Sequence, residues 1–210
     1  MAKAGWVTKI SKGDTTSSKA YTDEACGIVA GKIYEITDRT KRYWDKSNGV
    51  VVEDDSSAIS VSDIESINYL AGQLVLKSTY TPTGAITVTG KYYDVSVICF
   101  ANTASLSIDP MLEENTTFCT AQANDGWKTR QQTLLEGSLT VSGFYDSSDN
   151  FSTELLAGTE IIAEYRPDKD ASKAYIMKAQ IDDDSDDSDV QGLVGKSYTF
   201  TSVGKVYQEV

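Results

Sequence analysis

Apolar and polar residues alternate with a period of two along much of the first 94 residues. The alternating stretches are short, rich in Val, Ile, Thr and Tyr, and separated by Gly, Asn, Asp or Pro. They are 31–38, 49–54, 57–63, 72–80 and 84–93. A period of two places successive side chains on opposite faces of a strand, so the pattern predicts antiparallel strands with one buried face. The turn residues Gly72 and Gly84 predict hairpins between neighbouring strands.

The second half carries longer alternating stretches and one helical segment. Strands are predicted at 95–109, 136–146, 158–168, 172–182 and 195–206. The segment NFSTELLAG predicts a short helix at about 150–157, with Asn150 as its N-cap and Gly158 as its end. Leu155 and Leu156 are expected to supply its apolar contact, because a helix of two turns is stable only when packed.

These elements predict a mainly β protein: an antiparallel β-sandwich or curved barrel with one short flanking helix and long loops. An N-terminal β-hairpin subregion accompanies it. The boundary is expected near Tyr93 to Val95, which divides the chain into 1–94 and 95–210. The boundary lacks the Pro, Gly or Ser enrichment of a flexible linker, so the two parts are expected to be joined directly.

Charge and composition narrow the possible functions. The chain has 31 acidic and 19 basic residues, for a net charge of −12. Tight binding to nucleic acid phosphates is therefore not expected. The sequence contains no histidine, which removes the commonest general base and the commonest zinc ligand. Three cysteines without C-x-x-C spacing favour reduced thiols over a disulfide framework. We therefore expect no catalytic residue, no cofactor and no metal.

The beginning of the chain, MAKAGWVTKISKGD, lacks the apolar segment of a secretory signal. No window approaches the run of about 18 apolar residues that a membrane helix requires. The sequence therefore predicts a soluble protein that is made in the cytoplasm and does not contact a membrane.

A run of acidic residues follows the predicted strand at 172–182. It contains six aspartates in eight positions: Asp182, Asp183, Asp184, Asp186, Asp187 and Asp189. An EF-hand loop needs glycine at its sixth position and glutamate at its twelfth, and both are missing here. Mutual repulsion of the carboxylates favours an extended, solvated loop between two strands.

The order of elements from about residue 97 to 206 resembles that of the major tail tube proteins of long-tailed bacteriophages. In that family a G-x-x-x-V-S-G-x-x-D strand precedes a helix, an A-x-I strand follows it, and the last strand ends in Thr-Phe and then Gly. The matching positions here are Gly137, Val141, Ser142, Gly143, Asp146, Ala179, Ile181, Thr199, Phe200 and Gly204.

The first half is similar to a hairpin pair that recurs in small β modules of phage tail and neck proteins. INYLAGQLVL and GAITVTGKYY match that pattern, with Asn68 where Asp is usual and Leu76 where an aromatic residue is usual.

The resemblance implies a structural virion protein. Its subunits would close into hexameric rings that stack into a hollow tail tube, assembled in the host cytoplasm and ending in the virion. Six copies would carry 6 × (−12) = −72 charges per ring. A DNA backbone is repelled by such a channel and would slide through it during ejection without specific binding. The implied partners are further copies of the chain and other tail proteins.

Contacts between rings in the resembling family use loops and a terminal arm. The matching stretches here are 11–27, a hairpin at 39–49, an irregular segment at 110–136 and the acidic run. The hairpin is dense in basic and aromatic residues, which suits docking onto acidic groups such as Asp182 to Asp189 of a neighbour. The candidate interface residues are Arg39, Arg42, Tyr43, Trp44, Lys46 and Trp127. The alternative for the hairpin is a solvated turn whose tryptophan packs on its own sheet.

Two other classes of function remain open. A virion decoration, fibre or carbohydrate-binding module would also be acidic, rich in tyrosine and non-catalytic, and an exposed Trp6, Trp44 or Trp127 would stack on sugar rings. A glycosidase would need a pair of carboxylates. The spacing of the 31 acidic residues selects no such pair.

Overall fold

The structure is a computed structural model that describes residues 8–98, 101–115, 117, 130–144, 151–168, 170, 173–187 and 194–209. Within these residues the chain is mainly β, with one short α-helix and two antiparallel sheets, one of them curled into a half-barrel. The predicted fold class is therefore confirmed. Among the described residues, no helix has the length and apolar character needed to cross a membrane.

The first sheet has seven strands and uses residues 19–92. In chain order they are β2 (Lys19–Ala30), β3 (Ile33–Ile36), β4 (Val50–Asp54), β5 (Ser57–Ala58), β6 (Ile64–Asn68), β7 (Gln73–Leu76) and β8 (Ile86–Tyr92). Their order across the sheet is β5-β4-β8-β2-β3-β7-β6. The alternating residues Ile36, Leu74, Leu76 and Val88 point into one buried cluster, which is why these strands form where the pattern predicts them.

The second sheet has eight strands. They are β1 (Lys9–Asp14), β9 (Val95–Val97), β10 (Ala101–Glu114), β11 (Arg130–Phe144), β12 (Ile161–Arg166), β13 (Ala174–Asp187), β14 (Gly195–Ser202) and β15 (Tyr207–Glu209). Their order is β10-β11-β14-β13-β12-β1-β9, and β15 pairs with the beginning of β13. This sheet thus combines residues from both ends of the chain. The division into 1–94 and 95–210 stays a prediction.

The helix α1 (Phe151–Ala157) packs on one face of the second sheet, and its predicted position is confirmed. Phe151 meets Tyr198 and Phe200 edge to face, with ring centroids 4.5 and 5.5 Å apart. Gly158 ends the helix in a left-handed conformation, with φ of 61°. Leu155 packs against the core as predicted, whereas Leu156 is 89 % exposed, so its predicted apolar contact is wrong.

Three predicted loops contain strands instead. The stretch 11–27 includes most of β1 and the first part of β2, and the stretch 110–136 includes the end of β10 and the beginning of β11. The acidic run belongs to β13 as far as Asp187. One predicted strand, 57–63, is reduced to β5 and the 3-10 turn Val61–Asp63.

Candidate functional site: surfaces for assembly

A buried cluster of charged side chains joins the two sheets. Arg42, 3 % exposed, donates from Nη1 to Oε2 of Glu209 at 2.8 Å and from Nη2 to the Tyr43 hydroxyl at 2.8 Å. Glu164 Oε1 lies 3.2 Å from Nη2 of Arg42, and Glu164 Oε2 accepts a hydrogen bond from the Tyr43 hydroxyl. Arg166 contacts Glu164 and Glu209. The pairs connect a segment between β3 and β4 to strands β12 and β15, so they fix one sheet to the other.

The neighbours of Glu164 and Arg42 favour the charged forms of these two side chains against the effect of burial. Burial raises the pKa of Glu164, but Arg42, the Tyr43 hydroxyl and Arg166 outweigh it and leave that pKa below its ordinary value. Burial lowers the pKa of Arg42, and the neighbouring Tyr43, Glu164 and Glu209 raise it above its ordinary value. Removal of one partner would therefore leave an uncompensated charge in the protein interior.

Apolar contacts surround the charged cluster. Tyr43 packs with Ile162, Ala174 and Ile176, and all four side chains are buried. Trp44 is also buried and packs against Tyr21, with ring centroids 6.4 Å apart. The described contacts of three candidate interface residues, Arg42, Tyr43 and Trp44, therefore lie inside the chain. The predicted alternative, a tryptophan packed on its own sheet, describes this arrangement of Trp44.

The other candidate residues of the 39–49 segment lie at the surface. This segment is not a β-hairpin, because residues 39–41 form a 3-10 turn and Trp44 makes an isolated bridge to Tyr92. Arg39 is half-exposed and forms ion pairs with Glu35, at 3.0 Å, and with Glu209. Lys46 is exposed. Contacts of Arg39 and Lys46 with another subunit stay predictions. Trp6 and Trp127 lie outside the described residues.

The acidic run is held in β13 by a buried lysine. Lys196 of β14, 7 % exposed, places Nζ 2.7 Å from Oδ1 of Asp184 and 2.6 Å from Oδ1 of Asp186. The Ser152 hydroxyl of α1 also donates to Asp184. These contacts lower the pKa of Asp184 despite its partial burial, which by itself raises that pKa. The predicted solvated loop is wrong for 182–187 because a countercharge lies on the neighbouring strand.

A β-bulge between Ile181 and Asp183 shifts the register of β13 against β14. Two consecutive carboxylates, Asp182 and Asp183, are exposed at the bulge. The side chain of Asp187 and the whole of Asp189 lie outside the described residues. A role of the acidic residues in assembly stays a prediction.

Strands β10 and β11 extend beyond the rest of their sheet. β14 pairs with β11 over 138–144 only, whereas the pairing of β10 with β11 continues to Glu114 and Arg130. We call the projecting part, residues 107–114 and 130–137, the arm. Large apolar side chains of the arm are exposed: Ile108 (42 %), Met111 (46 %), Leu134 (63 %) and Leu135 (62 %). A two-stranded ribbon with this surface is at best marginally stable alone in water.

One face of β10, β11, β14 and the acidic part of β13 carries small polar side chains. Directly paired residues share a face, and the hydroxyl groups of Ser142 and Ser197 lie 2.8 Å apart. We call this surface the hydroxyl face; it consists of Thr103, Ser105, Ser107, Ser138, Thr140, Ser142, Gln180, Asp183, Ser185, Ser197, Thr199 and Thr201. Lys and Arg are absent from these positions. Helix α1 and the apolar core lie on the opposite face.

A cleft of about 880 Å³ lies between the two sheets. Its walls include the tyrosines Tyr69, Tyr93 and Tyr207, along with Ile67, Leu70 and Ile162. Three lysines line it as well: Lys46, Lys178 and Lys205. The buried Asp45 lines the cleft too, so the cleft combines an apolar and aromatic wall with three lysines and one carboxylate.

No protein-family model and no curated protein matches the chain. Part of the chain is similar to solved structures of gene transfer agent particles. One is from the virion of a native particle, with 12 % sequence identity, a TM-score of 0.48, and coverage of 55 % of this chain and 89 % of that chain. Another is from the tail of an empty particle with C6 symmetry, with 12 % identity, a TM-score of 0.48, and coverage of 56 % and 87 %. These values describe a coarse likeness over about half of the chain.

Proposed function

We propose that this chain is a structural subunit that polymerises with copies of itself into stacked rings and so forms a hollow tube for the passage of DNA. This is the function that the resemblance to major tail tube proteins implies. The observation that supports the proposal is the arm, because exposed large apolar side chains of this kind are typically buried against another protein chain.

The exposed side chains explain why the arm needs a partner. Leu134 and Leu135 are consecutive in β11, so they point to opposite faces of the ribbon, and both are more than 60 % exposed. Within the described residues, each face of the arm therefore carries a leucine side chain that is largely open to solvent. Burying two leucine side chains contributes on the order of 3–5 kcal/mol. This free energy favours association of copies if the arm of one copy finds a complementary surface on another.

The hydroxyl face supports the proposal of a channel for DNA. Lys and Arg side chains are what hold a phosphate backbone, and this face offers hydroxyl groups and the Asp183 carboxylate instead. A lumen formed by the hydroxyl faces of several subunits would be wetted and weakly negative. DNA would pass through it without being held. The proposed partners are further copies, other tail proteins and DNA in transit, within a virion tail.

The N-terminal part, residues 1–94, is proposed to be a structural subregion of the subunit that contributes strand β1 to the second sheet. Its sheet covers one end of the second sheet through Tyr43, Ile162, Ala174 and Ile176. Ala174, Ile176 and Gln180 lie on one face of β13, so the N-terminal sheet packs on the same face of the second sheet as the hydroxyl face and flanks it on the side of β12 and β13.

Sedimentation velocity across protein concentrations tests the proposal. We expect a monomer at low concentration and discrete, ring-sized and larger species above a critical concentration. Since apolar burial drives the contact, we expect assembly to be retained in high salt, where repulsion between acidic subunits is screened. A single monomeric species at all concentrations and salt levels would contradict the proposal.

The second candidate function is a non-catalytic binding module, such as a decoration, fibre or carbohydrate-binding domain. The tyrosines Tyr69, Tyr93 and Tyr207 in the cleft favour it, because aromatic rings are the surfaces on which sugars stack. A glycan screen with the monomer tests this candidate, with Tyr69→Ala as the variant that should lose binding. Absence of binding to every glycan would exclude it.

A further inference from the structure

We propose that the cleft between the two sheets receives the arm of a neighbouring copy, and that this contact closes the subunits laterally into a ring. The inference rests on the proposed self-assembly and names the surfaces that carry it. The occupant is the described part of the arm, residues 107–111 and 134–137.

The positive charge of the cleft is only partly balanced within the chain, because the Asp45 carboxylate that lines it accepts hydrogen bonds from Ser47 and Asn48. Lys178 forms an ion pair with Glu160. Lys46 and Lys205 are exposed and form no ion pair among the residues that the structure describes. Two unpaired cations beside an apolar wall favour an occupant that carries both apolar and acidic side chains.

The arm offers this combination. Asp109 lies directly opposite Glu136 in the pairing of β10 with β11, and both side chains are exposed. Met111 and Leu134 form the next pair on the same face of the ribbon. One face of the arm thus presents two carboxylates followed by two large apolar side chains. The cleft presents two lysines beside Ile67, Leu70 and the tyrosines.

The register of the arm adds a reason for a cationic partner. Like charges directly opposite each other on paired strands destabilise the pair. Asp109 and Glu136 are such a pair, and Ser107 donates a hydrogen bond to Asp109 at 2.7 Å without neutralising it. Lysines of a second copy would remove this repulsion at the same time as Leu134 is buried.

The positions of the arm and the cleft set the geometry of the contact. The arm leaves the sheet at Gly137, whose N–H donates to the Ser202 hydroxyl at 2.9 Å, and the cleft is lined by Val203 and Lys205 just beyond. Both surfaces therefore lie at the same end of the sheet. The arm belongs to the β10–β11 edge, whereas the cleft lies over β12 and β13, two or three strands away.

Leu134 and Leu135 are exposed, so the arm does not fill the cleft of its own chain. The arm and the cleft are two different patches of one subunit, so their contact between copies is heterologous. When the same contact is repeated from subunit to subunit, it produces a closed ring if the rotation between neighbours adds up to a full turn.

Charge reversal on each side tests the pairing. The arm variant is Asp109→Lys with Glu136→Lys, and the cleft variant is Lys46→Glu with Lys205→Glu. Each should raise the critical concentration for ring formation by about tenfold or more, because attraction between exposed charges becomes repulsion. The variant with all four substitutions keeps the net charge of −12 and should regain assembly. An equal mixture of the arm and cleft variants should also assemble.

The outcomes separate this inference from the proposed function. Wild-type rings together with unaffected arm and cleft variants would overturn the arm-in-cleft contact and leave self-assembly intact. Failure of the four-substitution variant to assemble, with its melting temperature unchanged, would also overturn the contact. A wild-type chain that never assembles would overturn both.

Crosslinking of wild-type protein provides a second measurement that needs no substitution. A zero-length carbodiimide joins carboxylates to amines that are in contact. We expect links from Lys46 or Lys205 to Asp109 or Glu136, and a mixture of isotope-labelled and unlabelled subunits identifies them as links between copies. Assembled rings without these links would overturn the inference.

Discussion

The guanidinium of Arg42 and the carboxylate of Glu209 meet at 2.8 Å inside the protein, although 167 positions separate them in the chain. Arg42 lies between the strands of the first sheet, and Glu209 belongs to the last strand of the second. This ion pair, with Glu164 and Arg166 around it, fixes the relative position of the two sheets. The shape of the cleft depends on that position.

We predict that Arg42→Met lowers the free energy of unfolding by about 3 kcal/mol, because the buried Glu164 and Glu209 lose their most buried cation and keep only Arg166 and Arg39. Urea unfolding followed by circular dichroism measures the change. Lys46→Met is the matched control, since it removes a nearby exposed cation and should change stability by less than about 0.5 kcal/mol. Equal effects of the two substitutions would contradict the structural role of the cluster.

Stability should fall in acid partly through Glu164. Its pKa in the folded protein lies below the ordinary value of 4.5, so its contribution is fully present above that pH. The contribution is lost as the pH falls from 4.5 through the folded pKa. We predict that Glu164→Gln destabilises the protein at pH 7 and that its difference from wild type shrinks below pH 4.5. A difference that does not change between pH 7 and pH 3 would refute this assignment.

Two glycines with positive φ differ in their surroundings and provide a test of the packing around Arg42. A Cβ at Gly72 (φ 63°) would lie 2.8 Å from Cα of Arg42 and 2.8 Å from Cγ2 of Ile36, whereas a Cβ at Gly31 (φ 54°) would meet nothing within 4 Å. Gly31→Ala should cost about 1 kcal/mol of stability for its backbone conformation alone. Gly72→Ala should cost about 3 kcal/mol, because overpacking is added. Thermal unfolding of both variants distinguishes the two effects.

The leucines of the arm should matter for assembly and not for folding. We predict that Leu134→Ser with Leu135→Ser leaves the melting temperature of the monomer unchanged, because both side chains are exposed in it. The critical concentration for assembly should rise by more than tenfold, since burial of each leucine contributes about 1.5–3 kcal/mol. Val51→Ser is the control, because Val51 is exposed by 51 % on the other sheet. Assembly that is insensitive to the arm leucines would remove the main support for the proposed function.

The hydroxyl face should decide whether an assembled tube retains DNA. Ser105→Lys with Ser197→Lys places two cations on that face, and we predict tubes that bind DNA with an affinity that falls steeply with salt. Val51→Lys with Val61→Lys adds the same charge to exposed positions of strand β4 and of the 3-10 turn Val61–Asp63. This control should bind less DNA inside the tube. Co-sedimentation of DNA with tubes after nuclease treatment measures the protected fraction, and equal protection in both variants would place the hydroxyl face outside the lumen.

The sequence was sufficient to predict those elements in which apolar residues alternate without interruption. Strands β7 and β8 and the short helix lie where the pattern placed them, because Leu74, Leu76 and Val88 each point into the core. Strand β2 was missed because a register shift between Tyr21 and Glu24 breaks its period, and Tyr21 is its one fully buried side chain.

The strand conformation of the acidic run and the contact between the two sheets depend on residues that are distant along the chain. Asp184 is stable in a strand because Lys196 and Ser152 approach it, and no pattern within the acidic run indicates that approach. The sequence singled out the basic and aromatic residues at 42–44 as an interface, and in the structure their side chains are buried. Their contacts with Glu164 and Glu209 could not be foreseen, since the pairing of the two sheets is a property of the whole fold.

Electron microscopy of the purified protein, concentrated and incubated over a range of salt, shows directly whether copies of the chain assemble. We predict rings, and tubes of uniform width with a central channel, which disappear in the Leu134→Ser, Leu135→Ser variant. Monodisperse single subunits under all conditions, with the protein folded by circular dichroism, would contradict this prediction.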